Sequence, residues 1–125
     1  MDVLSPESMV AYVATARRRQ QVRIAQLQQR RDRALVTAQA IAQWLYGEMG
    51  ATQVVMFGSV LDPSQFDETS DVDLAVWGLS GEGHWQALTH LMANSALTAG
   101  FQIDLVPAET AAPYLQTAIA QGQPL

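Results

Sequence analysis

Hydrophobic and polar positions change period along this chain, and each change marks an element. From Pro6 to Met49 no further proline appears, and no glycine before Gly47. Alanine, glutamine, arginine and leucine dominate this stretch, and all four favour helix. Ser5-Pro6-Glu7 supplies an N-cap, a proline at the first helical position and an acid in the first turn. The pattern predicts one long helix, or two with a break near residues 17–22. An apolar stripe runs Ile24, Leu27, Ala34, Ala38, Ile41, Leu45, at spacings of three and four with one larger step. Leu35, Ala42 and Trp44 widen it towards the C-terminal end, so that half is expected to lie on a sheet. The half before Arg33 is too polar to be buried, apart from Met9, Val10, Tyr12 and Val13, which would form a small sticky patch at the tip. Gly47 and Gly50 end the helix, Gly50 as its left-handed cap. Met1 to Leu4 are expected to be loose.

After Gly50 the apolar runs shorten and glycine and proline punctuate them. A first strand is expected at about 53–57, then a loop over 59–70 containing the turn signal Asp62-Pro63-Ser64. The first residues of that loop are expected to form a short helix. A second strand follows at about 71–77, and Gly78 to Gly83 reads as loop. An amphipathic helix over 84–97 carries His84, Trp85, Leu88, Leu91 and Met92 and ends near Gly100. A third strand, about 101–106, is stopped by Pro107, and a last helix over 108–121 carries Tyr114, Leu115 and Ile119. The order α-β-loop-β-α-β-α predicts an α+β fold, a small mixed sheet of about three strands packed by helices. Trp44, Trp77, Trp85, Met92 and Tyr114 are assigned to the core, and His84 and His90 read as ordinary helix residues.

Composition narrows the class. With 125 residues, nearly half of them hydrophobic, the chain has enough apolar material for one core. It has no cysteine, which excludes disulfides and thiolate metal sites. No window is long and apolar enough to span a membrane, and no basic-then-apolar leader is evident, so a cytoplasmic protein is expected. The net charge of −5 is unevenly spread. There is no lysine, all seven arginines lie between Arg17 and Arg33, and nine of the twelve acids follow residue 34. Such asymmetry suggests a basic segment that meets something acidic: a partner protein, the acidic body of this chain, or a second copy through self-association. Nucleic acid is disfavoured, because the arginines lack interleaved aromatics.

The candidate chemistry sits between residues 54 and 74. The apolar run Val54 to Phe57 ends at Gly58-Ser59, where exposed backbone N–H groups and a hydroxyl suit a phosphate. Glycine is expected there because a Cβ would block close approach of backbone to phosphate. In Asp71-Val72-Asp73-Leu74, residues two apart share a face of the strand. Asp71 and Asp73 therefore point one way while Val72 and Leu74 point into the core. Paired carboxylates repel and raise each other's pKa, and a hard divalent ion such as Mg²⁺ neutralises them while keeping positions open for phosphate. Asp104, mid-strand in Phe101-Gln102-Ile103-Asp104-Leu105-Val106, is a candidate third carboxylate.

Gly58-Ser59, then Asp71-x-Asp73, then Asp104 on a later strand resembles the DNA polymerase β-type nucleotidyltransferase superfamily, and in size and layout the minimal nucleotidyltransferases (MNT). The resemblance covers roughly residues 35–125, with residues 1–34 as an arginine-rich helical extension. It implies a nucleotidyltransferase fold that moves AMP from ATP to a hydroxyl, using two Mg²⁺ ions. Asp71 and Asp73 would hold metal, Asp104 would be third ligand and base, and Gly58 and Ser59 would cradle the triphosphate. It further implies an antitoxin of a toxin–antitoxin module, paired with a HEPN-domain protein and adenylylating a tyrosine of it. The alternative is a non-catalytic antitoxin or assembly subunit that masks a partner by contact. Transfer to a small molecule or to RNA is disfavoured by the missing second domain and the acidic body. One departure stands out. Many relatives carry an arginine shortly after Gly-Ser and a glycine further on, where this chain has Val60, Leu61, Asp62 and Pro63. Metal ions and backbone dipoles, or the arginine helix folded back or donated by another subunit, would then have to offset the triphosphate charge.

Overall fold

The computed structural model describes residues 5–125, so the expectation for Met1 to Leu4 lies outside the described residues. The long polar stretch forms one unbroken helix, α1 (Pro6–Glu48), with no break near 17–22. Ser5 caps it, its hydroxyl accepting from the Ser8 amide at 3.1 Å. Met49 closes it, followed by Gly50 at φ +74°. At 1.5 Å per residue, its 43 residues span about 65 Å. Only its C-terminal part is buried, through Ala34, Thr37, Ala38, Ile41, Ala42 and Leu45. Those positions repeat at three and four and form one face. Ile24, counted into that stripe from sequence, is 57 % exposed, and Met9, Val10, Tyr12 and Val13 are exposed at the tip.

Three strands follow the expected order: β1 (Gln53–Phe57), β2 (Val72–Trp77) and β3 (Ile103–Pro107). A fourth, β4 (Gln123–Pro124), was not anticipated; it adds to the free edge of β1. The sheet runs β3-β2-β1-β4. β1 is antiparallel to β2 and to β4, and β2 is parallel to β3. The parallel pair is bridged by α2 (Gly81–Ala93) and α3 (Ser95–Thr98). The single helix expected over 84–97 thus starts three residues earlier, capped by Ser80, and breaks at Asn94, whose side chain caps α3. Between β1 and β2 a 3-10 turn (Ser59–Leu61) opens the loop. After β3 a second 3-10 turn (Ala108–Thr110) precedes α4 (Pro113–Ala120), splitting the helix expected over 108–121.

Alternation along the strands sends side chains to two layers. Val54, Met56, Val72, Leu74, Val76 and Leu105 face α1 and α2 in the larger cluster. Val55, Phe57, Ala75 and Val106 face Ile119 of α4 in a smaller one. Of the aromatic and methionine side chains assigned to the core, Trp44 and Trp77 are half-buried. Trp85, Met92 and Tyr114 are exposed, at 69 %, 87 % and 76 %. The reason is helical phase. α2 buries Ala87 and Leu91, and Trp85 and Met92 lie on its opposite side; Tyr114 is likewise turned away from the buried Ile119 of α4. Among the described residues, no helix is long and apolar enough to cross a membrane.

Candidate nucleotide and metal site

The parity of β2 decides which side chains meet. Val72 and Leu74 are fully buried in the larger cluster, so Asp73 stands on the other face, in line with Ala75. Register supplies its neighbours. Phe57 pairs with Asp73 across the antiparallel ladder, and Asp104 pairs with Asp73 across the parallel one. Adjacent strands lie about 4.8 Å apart, so paired residues on one face stand side by side. Two residues further along the same face, Ala75 and Val106 are covered by the α4 layer. Asp73 is half-buried and Asp104 exposed, so the acids occupy the open end of that layer. Asp71, half-buried, lies just before β2.

The electrostatics follow from this arrangement. The Asp73 carboxyl is pushed up to about 6. Burial is the chief cause, followed by the Asp104 charge, the Asp71 charge and a hydrogen bond that the protonated Asp73 donates to Asp104. Asp73 is therefore the acid that feels the charge of the other two. Among the described residues, no group of three or more His, Cys, Asp or Glu side chains is drawn together as a metal-holding cluster. The donor set nonetheless suits a hard cation: carboxylate oxygens only, crowded enough that the central acid resists ionisation, and open on one side.

Gly58 completes the corner. It leaves β1 at φ +84°, ψ −155°, a region that is essentially glycine's alone. A Cβ placed there would lie 2.2 Å from Asp73 Oδ2. The backbone at Gly58 thus touches the carboxylate directly, an approach only glycine permits. Ser59 starts the 3-10 turn, with the Leu61 amide donating to Gly58 O and the Asp62 amide to Ser59 O, each at 3.1 Å. All five residues singled out from sequence thus lie on or beside adjoining strand ends.

What sequence reasoning missed is how the loop between Ser59 and Asp71 is held. Arg31 Nε donates to Val60 O at 2.7 Å, and Arg30 Nη2 donates to Ser70 O at 3.2 Å. The Arg30 guanidinium lies 4.6 Å from the Phe101 ring centroid and 6.0 Å from that of Phe66. Arg23 pairs with Glu68 at 3.1 Å on the exposed surface. The basic segment therefore meets its own chain at the loop. The available signal was charge asymmetry alone, which did not say which arginines. The histidines lie away from the acids in sequence and stay on α2, where His90 stacks on Trp44 at 4.5 Å. A cavity of about 380 Å³ also lies elsewhere, lined by Leu88, Leu91, Met92, Phe101 and Ile103 among others.

No protein-family model and no curated protein matches the chain. Solved structures do. A crystal structure of a mutant of the toxin–antitoxin MntA-HpeT is 28 % identical, with a TM-score of 0.50, and the match covers 66 % of this chain and 66 % of that one. A toxin–antitoxin crystal structure with AMP-PNP is 21 % identical, with a TM-score of 0.53, covering 70 % of this chain and 69 % of that one. The chain thus spans about two thirds of the length of the chains it matches. Its structural neighbours are toxin–antitoxin proteins of the sort that the Gly58-Ser59, Asp71-x-Asp73 and Asp104 pattern anticipated. In fold the chain is similar to these toxin–antitoxin structures, over about two thirds of its length.

Proposed function

We propose that the chain is a Mg²⁺-dependent nucleotidyltransferase that moves AMP from ATP onto a hydroxyl, a tyrosine of a HEPN-domain toxin partner, and so acts as the antitoxin of the pair. The observation that carries this reading is the pairing of Asp73 with Asp104 beside Gly58. A neighbouring structure described as a toxin–antitoxin with AMP-PNP supports a nucleotide as ligand.

Asp71, Asp73 and Asp104 would hold the metal, which when bound neutralises the carboxylates and the phosphate oxygens. The chain's own residues do the rest. Gly58 lets the backbone approach the triphosphate, and Ser59 offers a hydroxyl and the start of the turn. Asp104, the exposed member of the pair, accepts the proton of the acceptor hydroxyl. The acceptor oxygen then bonds to the α-phosphorus in line with the departing bridge oxygen. The α–β bond breaks and pyrophosphate leaves with the electron pair. Asp73 must be ionised to serve as ligand, so protons compete with the metal for it and metal affinity is expected to weaken as pH falls towards about 6 and below.

The test is incubation with α-labelled ATP, Mg²⁺ and the product of the gene beside this chain's own. Label on the partner that is lost on Tyr→Phe replacement of its acceptor and in Asp71→Ala/Asp73→Ala supports the reading. A partner that the double variant inhibits as well as the wild type, with no label from either, overturns catalysis and leaves masking by contact.

A further inference from the structure

The loop from Ser59 to Asp71 carries a proposed phosphate ligand at one end and a proposed metal ligand at the other. Its own sequence carries no basic residue. The two arginines that enter its environment are consecutive on α1. Arg31 grips the first turn, through Val60 O at 2.7 Å, next to Ser59. Arg30 grips the last residue, through Ser70 O at 3.2 Å, next to Asp71. Both side chains are half-buried. Arg30 is further fixed by the Phe101 ring, which lies two residues before β3 begins, and by Phe66 inside the loop. Its Nε is buried without a partner, so the side chain is held by shape and by the aromatic faces as well as by its one hydrogen bond. Val60 and Phe66 also bury the loop's apolar side chains in the larger hydrophobic cluster, and elsewhere the loop is closed by its own short-range turns, Asp62 accepting from Ser64 and Asp67 from Thr69. These turns shape the loop and do not fix it to the sheet.

We infer that Arg30 and Arg31 are positioning residues for the transfer site: one turn of α1 staples both ends of the loop and so sets Ser59 and Asp71 against Asp73. This rests on the function proposed above and deepens it. The arginine helix thus brings basic side chains to a loop that has none of its own. It supplies geometry together with positive charge; Arg31 lowers the Asp62 carboxyl as a minor contributor beside the Ser64 hydrogen bonds.

The experiment measures amide hydrogen exchange and binding of a non-hydrolysable ATP analogue with Mg²⁺, in the wild type, Arg31→Met, Arg31→Lys and Arg30→Met. Exchange at residues 59–70 is expected to rise about tenfold in Arg31→Met, with β1 and β2 unchanged. The Kd for the analogue should rise about tenfold, and the ATP KM with it while kcat stays within about threefold, as for a lost charged hydrogen bond that orders a binding turn. Arg31→Lys, which keeps a donor, should recover most of both. Arg30→Met should raise the Mg²⁺ concentration for half-activity more than the ATP KM. Unchanged loop exchange, or an unchanged Kd in Arg31→Met, overturns the inference. Analogue binding without AMP transfer in the wild type overturns the proposed function and leaves the arginine contribution measurable. A fall in kcat alone assigns the arginines another role and also overturns it.

Discussion

Replacing Gly58 by alanine tests the contact on which the site geometry turns. Two effects add. The backbone at φ +84°, ψ −155° is one that side-chain-bearing residues avoid, at about 1–3 kcal/mol. The new Cβ would also lie 2.2 Å from Asp73 Oδ2 and 3.2 Å from its Cγ. That overlap is relieved by turning the Asp73 carboxyl off its rotamer, at about 0.5–1.5 kcal/mol. Together these give about 2–4 kcal/mol, which for a chain of this size lowers Tm by roughly 8–16 °C. Gly50→Ala is the comparator, because its φ is also positive, +74°, but nothing lies within 4 Å of a Cβ there. That variant should lose about 1–2 kcal/mol, or roughly 4–8 °C. Thermal unfolding by circular dichroism reads the stability difference, and labelled AMP transfer reads the displacement of Asp73. The expected result is a larger Tm loss in Gly58→Ala and a loss of transfer there alone. Equal Tm losses with transfer intact would refute the contact between Gly58 and the carboxylate.

Three other outcomes follow from particular contacts. Asp73 has a folded value of about 6, above its ordinary 3.8, so the folded chain binds its proton more tightly than the unfolded chain does. Its charge thus destabilises the fold increasingly as pH rises from about 4 to about 6, by roughly 1–2 kcal/mol once solvent screening is allowed for. Asp73→Asn should therefore raise Tm at pH 8, change it little at pH 4, and abolish transfer; no gain at pH 8 in unfolding curves across that range would contradict the crowding of the acids. Tyr46 receives a hydrogen bond from the Val54 amide at 2.7 Å and donates one to Leu125 O at 3.1 Å, tying α1, β1 and the chain end together. Tyr46→Phe should cost about 1 kcal/mol in urea unfolding, with faster exchange at Val54. Ile41, fully buried between α1 and the sheet, should lose about 2–5 kcal/mol on replacement by alanine, visible as a lower urea midpoint at an unchanged slope.

How much of this was legible in the sequence depended on whether a feature is local and periodic. The strands around Val54-Val55-Met56 and Val72-Leu74-Val76 were, because apolar side chains at the strand period must find a core. So was the parity of Asp71 and Asp73, which follows from the same period. Helical phase is legible too: Ala87 and Leu91 define the buried line of α2, which turns Trp85 and Met92 outward. Counting large apolar residues as core ignored that geometry. β4 could not be read, because two residues, one of them proline, show no period. Its place is set from outside, by the ladder to β1, the Leu125 amide donating to Val54 O and the Tyr46 hydroxyl.

The site divides along the same line. Asp73 and Asp104 are 31 positions apart, and what sets them side by side is the parallel register of β2 and β3, which no short-range pattern encodes. The motif resemblance stood in for that register by assuming the fold. The arginine contacts lie beyond even that help, because Arg31 reaches Val60 O and Arg30 reaches Ser70 O across 29 and 40 positions, and a carbonyl acceptor carries no residue identity. A search for conspicuous side chains finds the acids and passes over whatever holds the loop between them. Part of the chain's charge asymmetry is accounted for at this point: Arg23, Arg30 and Arg31 lie where α1 meets the acidic loop, and that loop runs between two of the proposed site residues, Ser59 and Asp71.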